Sequence, residues 1–293
     1  MTERKTAVAL GNFDGVHLGH IAVLKKALMF AEKANYLPVT FLFDCHPNEY
    51  FGKNLQLLTT YQQRNELIKS LGFEIQEVKF SEIQNMSPEE FVEKILKNKL
   101  NAGVVCCGYN YHFGKNSEGN SNNLKEICQK FNIEVEVCDK VEIDGVAVSS
   151  SKIRALIESG NISLANKMLG REFSFDSKVF YGSSNGKLMG FPTANQYIKK
   201  GLIMPKKGVY ISSGVIDGEK YIGFTDIGTR PTFDDGEIRA ETHFFEMDND
   251  LYGKTIELEL HHFLRDEMKF DSVDNLVEQL KKDKIRVIEY FKK

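Results

Sequence analysis

The apolar pattern of this sequence changes near residue 170, and that change constrains the fold more than any other feature. Before it, short apolar runs alternate with segments of helical periodicity. The runs lie at 6–10, 38–43, 75–80 and 102–108, and the helical segments at 20–35, 61–72 and 87–100. Such alternation predicts an open α/β sheet. The run AGVVCCG at 102–108 is typical of a parallel strand covered on both faces.

After residue 170, strand patterns follow one another with only turns between them. They lie at 175–182, 208–216, 219–228, 240–247 and 255–264, and a helical pattern from 272 to about 291 closes the chain. This order predicts an antiparallel β-barrel or sandwich with a terminal helix. The 293 residues are enough for two domains. We expect a first domain at 1–169 and a second at 172–293.

Charge and composition narrow the function classes. The chain has 38 basic and 41 acidic residues, a net charge of −3. This argues against a broad surface for nucleic acid or membrane and leaves room for a local basic phosphate pocket. No apolar run approaches the roughly 20 residues of a membrane span, and the start TERK precedes only a short apolar run. We expect a cytoplasmic protein that is a monomer or a weak homo-oligomer.

The cysteines point to the same compartment. There are five, none in a CxxC pair, at positions 45, 106, 107, 128 and 138. An odd number with no paired spacing argues against a disulfide framework or a zinc cage. We interpret them as small core residues of a protein in a reducing compartment.

The segment GNFDGVHLGH at 11–20 joins the first predicted strand to the first helix. Ligands bind at the carboxyl ends of parallel strands, and a helix N-terminus offers free N–H groups to a phosphate. The three glycines let the backbone approach that phosphate, and His17 and His20 can both point at it. Imidazole donors can stabilise charge that develops at phosphorus, as nucleotidyl transfer requires. A two-histidine metal site and a pattern without a role are the alternatives.

A second phosphate motif is SSSKIR at 149–154. Hydroxyl groups at the start of a helix either cap its N–H groups or bind phosphate oxygens. Lys152 and Arg154 can neutralise a leaving pyrophosphate. Serine capping with no ligand is the alternative.

The densest signal of the second half is GSSNGKLMGFPTANQ at 182–196. Its glycines suit a phosphate-facing loop, and the oxygens of Thr193 and Asn195 suit Mg²⁺. An ordinary β-turn is the alternative. Downstream, the strand pattern AETHFFEM offers Glu241, His243 and Glu246 as groups that could orient or deprotonate an attacking hydroxyl. A solvated strand carboxylate is the alternative for Glu241.

Taken in order, these motifs resemble the HxGH nucleotidyltransferases and, more narrowly, the bacterial bifunctional riboflavin kinase/FMN adenylyltransferases. CHPNEYF at 45–51, CGYNYHFGKNSEG at 107–119 and the segment 148–173 fit the same family, and GFPTAN is similar to its kinase motif. The resemblance spans nearly the whole chain. It implies a Rossmann-like adenylyltransferase domain followed by a riboflavin kinase barrel. Asp226 stands where that family more commonly has a neutral residue.

The resemblance also implies roles for individual residues. For the adenylyltransferase, His17 and His20 are catalytic, Asn110 contacts the flavin, and ATP is bound by Gly11, Phe13, His17, His20, Ser150, Ser151 and Arg154. For the kinase, Glu241 accepts the proton of the ribityl 5′-hydroxyl. ATP is bound there by Gly182, Gly186, Lys187, Thr193 and Asn195, of which Thr193 and Asn195 hold its Mg²⁺.

The implied function is ATP-dependent phosphorylation of riboflavin to FMN and adenylylation of FMN to FAD with release of pyrophosphate. The partners are then small molecules only: riboflavin, FMN and ATP. Two other hypotheses stay open, an enzyme with a single active module and a flavin-binding regulator that has lost catalysis. The aromatic residues Tyr109, Tyr111 and Phe113 either line the isoalloxazine site or pack in the core.

Overall fold

The computed structural model describes residues 4–181, 190–229, 238–247 and 250–292. The chain divides into two compact units, residues 1–152 and 153–293. This division falls inside the helix Ser150–Glu158. The domain boundary that the sequence predicts at 169–172 therefore stays a prediction, and it concerns which residues fold on their own. Among the described helices, none has the length and apolar character needed to cross a bilayer.

A parallel five-stranded sheet forms the centre of the first unit. Its strands are β1 (Thr6–Leu10), β2 (Leu37–Phe43), β3 (Glu74–Val78), β4 (Ala102–Gly108) and β7 (Glu134–Cys138), in the order β3-β2-β1-β4-β7. Two short hairpins complete the strands: β5 (His112–Phe113) with β6 (Gly119–Asn120), and β8 (Glu142–Ile143) with β9 (Val146–Ala147). Both β1 and β4 are almost wholly buried, as their continuous apolar runs predict.

Helices connect these strands and cover the sheet. They are α1 (Leu18–Ala34), α2 (Pro47–Tyr50), α3 (Tyr61–Ser70), α4 (Phe80–Ile83), α5 (Pro88–Glu90) with a π-helical continuation (Phe91–Lys99), α6 (Ser121–Gln129), α7 (Ser150–Glu158) and α8 (Ile162–Leu169). A capping box begins α5, because Ser87 Oγ accepts from the Glu90 N–H while Glu90 Oε2 accepts from the Ser87 N–H. The predicted helix at 87–100 therefore exists, with its second part wound more widely.

The second unit contains a closed antiparallel barrel. Its strands are β10 (Phe173–Phe180), β11 (Ala194–Tyr197), β12 (Gly208–Ile216), β13 (Glu219–Thr229), β14 (Ile238–Phe244) and β15 (Thr255–Arg265), in the order β10-β11-β14-β13-β12-β15. β15 pairs with β10 and closes the ring. The barrel is confirmed over the sandwich alternative.

The terminal helix α9 (Val273–Phe291) packs on the outside of this barrel. Its N-cap is Ser272, where the sequence predicts that the helical pattern starts, and Ser272 Oγ accepts the N–H of Asn275 at 3.2 Å. Apolar residues of α9 cover an outward-facing cluster that includes Val209, Ile211 and Phe224. The outer face of the barrel beneath α9 therefore forms a separate hydrophobic core with that helix.

Candidate active sites

The turn between β1 and α1 places both histidines of the HxGH motif. His17 is the N-cap of α1, and its Nδ1 accepts the backbone N–H of His20 at 3.3 Å. An accepting Nδ1 carries no proton, so the neutral His17 ring carries its proton on Nε2. This bond therefore sets the ring orientation and leaves Nε2–H as the donor of the His17 side chain.

The two imidazoles form one aromatic stack. Their ring centroids lie 3.6 Å apart with an interplanar angle of 14°, and Phe13 contacts the His20 ring edge-on at 5.2 Å. Glycine at position 19 leaves room for this stack, because a Cβ there would lie only 3.1 Å from His17 Cε1. Similarly, a Cβ on Gly11 would lie 3.2 Å from the ring of Phe13. The glycines of the motif thus leave room for its rings.

Asp14 fastens the turn to the segment that precedes α3. Its buried carboxylate accepts the backbone N–H groups of Leu58 at 2.9 Å and Thr59 at 3.4 Å. Gly15 has a φ of +82°, and a Cβ there would lie 2.7 Å from Leu58 Cδ1. Only glycine satisfies both conditions, so the turn and this segment hold each other in place.

The start of α7 lies beside the same turn. Ser150 Oγ donates to the backbone oxygen of Asp14 at 3.0 Å. Ser149 Oγ accepts the N–H of Lys152 at 3.2 Å, so this serine caps the helix. Arg154 follows one helical turn after Ser150 and belongs to the second compact unit.

The loop that carries Asn110 follows β4 at the carboxyl edge of the sheet, where the HxGH turn also lies. Asn110 is exposed, and its backbone oxygen lies 3.0 Å from His112 Nδ1. Of the three aromatic residues in this loop, Phe113 is buried in the core, Tyr111 packs against it, and Tyr109 is 48% exposed. Core packing thus accounts for two of the three.

An aromatic surface that the sequence analysis did not single out follows β2. Tyr50 and Phe51 at the end of α2 pack edge-on against Phe80, with ring centroids 5.2 and 5.8 Å away. Phe51 nevertheless remains 60% exposed. We call Tyr50, Phe51 and Phe80 the α2 aromatic surface.

In the barrel, strand pairing brings the predicted kinase residues together. Asn195 on β11 is the direct cross-strand partner of Glu241 on β14. Direct partners in an antiparallel pair project to the same face, with Cβ atoms about 4.5–5.5 Å apart. Thr193 lies two residues before Asn195, and its backbone oxygen accepts from Asn195 Nδ2 at 3.3 Å.

The same register continues to Asp226 on β13, which is the direct partner of Glu241 on its other side. Desolvation by the surrounding strands, together with the nearby carboxylates of Glu267 and Glu241, raises the pKa of Asp226 to about 6, although its side chain is exposed to solvent. Arg265 acts in the opposite direction and is held by the fully buried Asp283 of α9, with Nη2 2.8 Å from Oδ2. Asp226, Glu241 and Asn195 therefore form one row across three strands.

His243, two residues beyond Glu241, lies 6% exposed and contacts the backbone oxygen of Pro192 through Nδ1 at 2.8 Å. Burial lowers the pKa of its imidazole. This ring is thus an anchor for the GFPTAN segment.

Each unit matches its own family model. Residues 1–152 match the model of FAD synthetase, and residues 169–291 match that of riboflavin kinase. The bifunctional riboflavin kinase/FMN adenylyltransferase of Listeria monocytogenes is 33% identical over 298 residues, covering 100% of this chain and 94% of that protein. The chain belongs to this bifunctional family.

Other members of the family, and one solved structure, are also similar to this chain over nearly its whole length. The bifunctional riboflavin kinase/FMN adenylyltransferase of Bacillus subtilis is 31% identical, covering 99% of this chain and 93% of that protein. The Escherichia coli K12 enzyme of the same name is 30% identical, with 97% and 92% covered. A crystal structure from Streptococcus pneumoniae, described as a macrolide-efflux protein, has a TM-score of 0.89 at 31% identity, with 97% and 94% covered. That description concerns the pneumococcal protein alone.

For a riboflavin kinase/FMN adenylyltransferase, the structure brings several of the predicted site residues together. Gly11, Phe13, His17, His20 and Ser150 meet around one turn, and Asn195 and Glu241 pair on one barrel face. Thr193 is joined to Asn195 through its backbone oxygen. Ser151 follows Ser150 on α7 and is exposed. Gly182, Gly186 and Lys187 lie outside the described residues.

Two features of the sites were not predicted from sequence, the carboxylate of Asp14 and the α2 aromatic surface. Serine capping, the stated alternative for SSSKIR, is what Ser149 does. A turn-forming aspartate is a general signal, and its partners Leu58 and Thr59 lie far away in the chain. CHPNEYF did contain the aromatic signal, but the exposure of Phe51 follows only from the tertiary structure.

Proposed function

We propose that the first unit transfers AMP from ATP to FMN at the HxGH turn, and that the barrel transfers a phosphoryl group from ATP to riboflavin at the Asn195–Glu241 pair. Membership of the bifunctional family supports both reactions. The observation that supports the assignment to residues is that members distant in sequence lie together: Ser150 contacts the HxGH turn, and Asn195 pairs with Glu241.

In the first unit, the proposed work of His17 is hydrogen-bond donation. Its Nδ1 accepts the His20 N–H, so Nε2–H is the side-chain donor that is proposed to bind an α-phosphate oxygen of ATP. The stacked His20 ring can serve the same group from the adjacent position. Charge increases on these oxygens in the transition state, and a fixed donor stabilises it without reorganisation. FMN phosphate is the attacking group, and pyrophosphate leaves.

Ser150 and Ser151 are proposed to bind the ATP phosphates from the start of α7. The Ser150 hydroxyl already donates a hydrogen bond to Asp14 O. The proposed role of Ser150 toward ATP is therefore to hold the turn in place and to present its backbone N–H. Ser151 is exposed and keeps its hydroxyl for a phosphate oxygen. Arg154 remains a proposed phosphate ligand on the basis of the family pattern alone.

The flavin of the first unit is proposed to bind near Asn110 and the α2 aromatic surface. An exposed phenylalanine beside two further rings offers a planar apolar contact for an isoalloxazine ring system. Asn110 offers an amide at the same edge of the sheet. This surface replaces Tyr111 and Phe113, which the core already uses.

In the barrel, Glu241 is the proposed general base for the ribityl 5′-hydroxyl. A carboxylate on a barrel strand is held by the ladder on both sides, here by Asn195 and Asp226. A base so positioned can accept the hydroxyl proton as the oxygen attacks phosphorus. The strand pairing alone sets the position of the Glu241 backbone.

Thr193 and Asn195 are the proposed ligands of the Mg²⁺ that accompanies ATP. The amide group of Asn195 fits this role, because its Nδ2 is committed to Thr193 O and its Oδ1 therefore faces the other way. Hydroxyl and amide oxygens are the hard donors that Mg²⁺ prefers. When bound, such an ion would neutralise negative charge on the transferred phosphoryl group.

A single time course tests the function. The purified protein is incubated with riboflavin, ATP and Mg²⁺, and the flavins are separated by liquid chromatography. We expect FMN to appear first and FAD to follow. FMN without FAD, or FAD only from supplied FMN, would identify an enzyme with one active module. Neither product would favour the flavin-binding regulator.

The proposed site of action is the cytoplasm. All five cysteines lie within the described residues and are free thiols. This fits a reducing compartment.

A further inference from the structure

Arg64 on α3 carries a buried positive charge with neutral hydrogen-bond partners. Its side chain is 4% exposed. Nη1 donates to Asn12 O at 3.4 Å, Nη2 to Phe43 O at 3.2 Å, and Nε to Asn65 Oδ1 at 3.1 Å. Within the described ranges, no carboxylate oxygen lies within the 4.0 Å of an ion pair. Three of the five N–H groups of the guanidinium are thus used.

The buried guanidinium of Arg64 thus has hydrogen-bond partners but no negatively charged partner among the described residues. Burial lowers the pKa of Arg64, and Tyr61, Glu77 and Asp14 oppose that shift. The Tyr61 ring lies 5.0 Å from the guanidinium carbon, but it carries no full negative charge. Arginine nevertheless stays protonated in proteins. Buried charges are normally paired, because desolvation without a partner is costly. The environment of Arg64 therefore favours the entry of an anion.

A small, partly enclosed cleft adjoins this charge. Arg64 lines it between the ends of β1 and β2. Thr59, His46 and Tyr61 supply polar groups to its wall. The cleft also includes Asn12 and Asp14, which belong to the turn that ends at His17. It is therefore continuous with the turn proposed to bind ATP.

We propose that Arg64 binds a phosphate group of an adenylyl-transfer substrate in this cleft, either the phosphate of FMN or the pyrophosphate portion of ATP. The proposal rests on the proposed function of the first unit. The two unused N–H groups can make charge-assisted bonds to phosphate oxygens. Asp14 lies in the same wall, but its Oδ1 is directed to the N–H groups of Leu58 and Thr59.

A second arginine of the same unit separates this role from carbonyl capping. Arg4 also donates to backbone oxygens, those of Asn35 at 2.9 Å and Tyr36 at 3.3 Å. It does so while exposed. An arginine can therefore donate to backbone oxygens next to a strand without being buried. Arg4→Gln is the matched control, because it removes the same kind of bonds away from the cleft.

The test compares wild type, Arg64→Gln, Arg64→Lys and Arg4→Gln in the full chain. KM is measured for FMN and ATP in FAD formation, and for pyrophosphate in the reverse reaction of FAD with pyrophosphate. Losing a charge-assisted bond should raise one KM by about 10- to 100-fold in Arg64→Gln. Arg64→Lys should recover part of that loss, and Arg4→Gln should match wild type.

The pattern identifies the anion. A raised KM for FMN alone assigns Arg64 to the FMN phosphate, whereas raised values for ATP and pyrophosphate assign it to the leaving group. Unchanged values in both Arg64 variants would overturn the proposal. If Arg64→Gln does not fold, Arg64→Lys decides by the same values. If wild type forms no FAD, the function fails separately, and the shift in melting temperature produced by pyrophosphate, compared between wild type and Arg64→Lys, still tests Arg64.

Discussion

Asn195 and Glu241 are direct cross-strand partners in the closed barrel, on β11 and β14. The pairing places a proposed metal ligand and a proposed base on one face, one strand apart. Because the ladder fixes both backbones, a substitution of either side chain should leave the other in place. The two roles can therefore be separated by mutation within one site.

Glu241→Gln should slow riboflavin phosphorylation by about 10²–10⁴, the typical contribution of a general base. Glutamine keeps the shape and removes the basic oxygen. Adenylylation of supplied FMN should stay near wild type. Glu246→Gln, a change just beyond β14, is the matched control and should leave both rates unaltered. A normal phosphorylation rate in Glu241→Gln, measured by chromatography, would refute the base assignment.

Thr193→Ala should raise the Mg²⁺ concentration needed for half-maximal phosphorylation. The substitution removes the side-chain oxygen but keeps the backbone oxygen that accepts from Asn195 Nδ2. Thr193→Ser restores a hydroxyl ligand and should restore the Mg²⁺ dependence. A Mg²⁺ titration of riboflavin phosphorylation measures this. Equal midpoints for the alanine and serine variants would show that Thr193 is not a ligand.

Local sequence patterns predicted the strands and helices, because alternation and helical periodicity are short-range signals. They missed β7, β11, the two short hairpins and the helices α2, α4, α6 and α8. The four residues Ala194–Tyr197 follow a proline in a segment that resembled a turn, and they become a strand only because β10 and β14 flank them. β7 alternates apolar and acidic residues at a sheet edge.

The sites were predicted as residue sets and not as geometries. The HxGH spacing implied two histidines near one anion, but not that His17 Nδ1 would accept the His20 N–H. The pairing of Glu241 with Asn195 joins residues 46 positions apart. Arg64 gave no signal at all, because its burial results from contacts with the turns after β1 and β2.

Asp226→Asn should stabilise the protein at neutral pH. Desolvation by the surrounding strands and the neighbouring carboxylates raise the pKa of Asp226 to about 6 from an ordinary 3.8, although the side chain is exposed. The folded state therefore holds the proton more tightly than the unfolded state, and this group disfavours folding as pH rises from about 4 to 6. The variant should match wild type near pH 4 and melt at a higher temperature above pH 6.

Thermal melts across pH 4 to 8 would measure this difference. Glu219→Gln, at the start of the same strand, is the control and should show no comparable pH-dependent gain. A constant difference between Asp226→Asn and wild type at all pH values would contradict the predicted titration.

The barrel should fold without the first unit, and its stability should depend on α8. Asn166 on α8 donates to Leu260 O at 2.8 Å and accepts from the Phe173 N–H at 2.8 Å. A fragment of residues 172–293 loses both bonds, whereas 153–293 keeps them. Both should phosphorylate riboflavin without forming FAD, and the shorter should melt several degrees lower. Insolubility of both would contradict independent folding.

His20→Ala should reduce FAD formation by about 10²–10³, the usual cost of removing one transition-state donor. The His20 ring stacks on His17 and contacts Phe13, so the alanine variant also loses packing. His20→Asn keeps a hydrogen-bond donor on a smaller side chain and should recover part of the rate. Riboflavin phosphorylation by the same preparation is the internal control and should be unchanged. If both activities fall together with the melting temperature, His20 is structural and the proposed role is wrong.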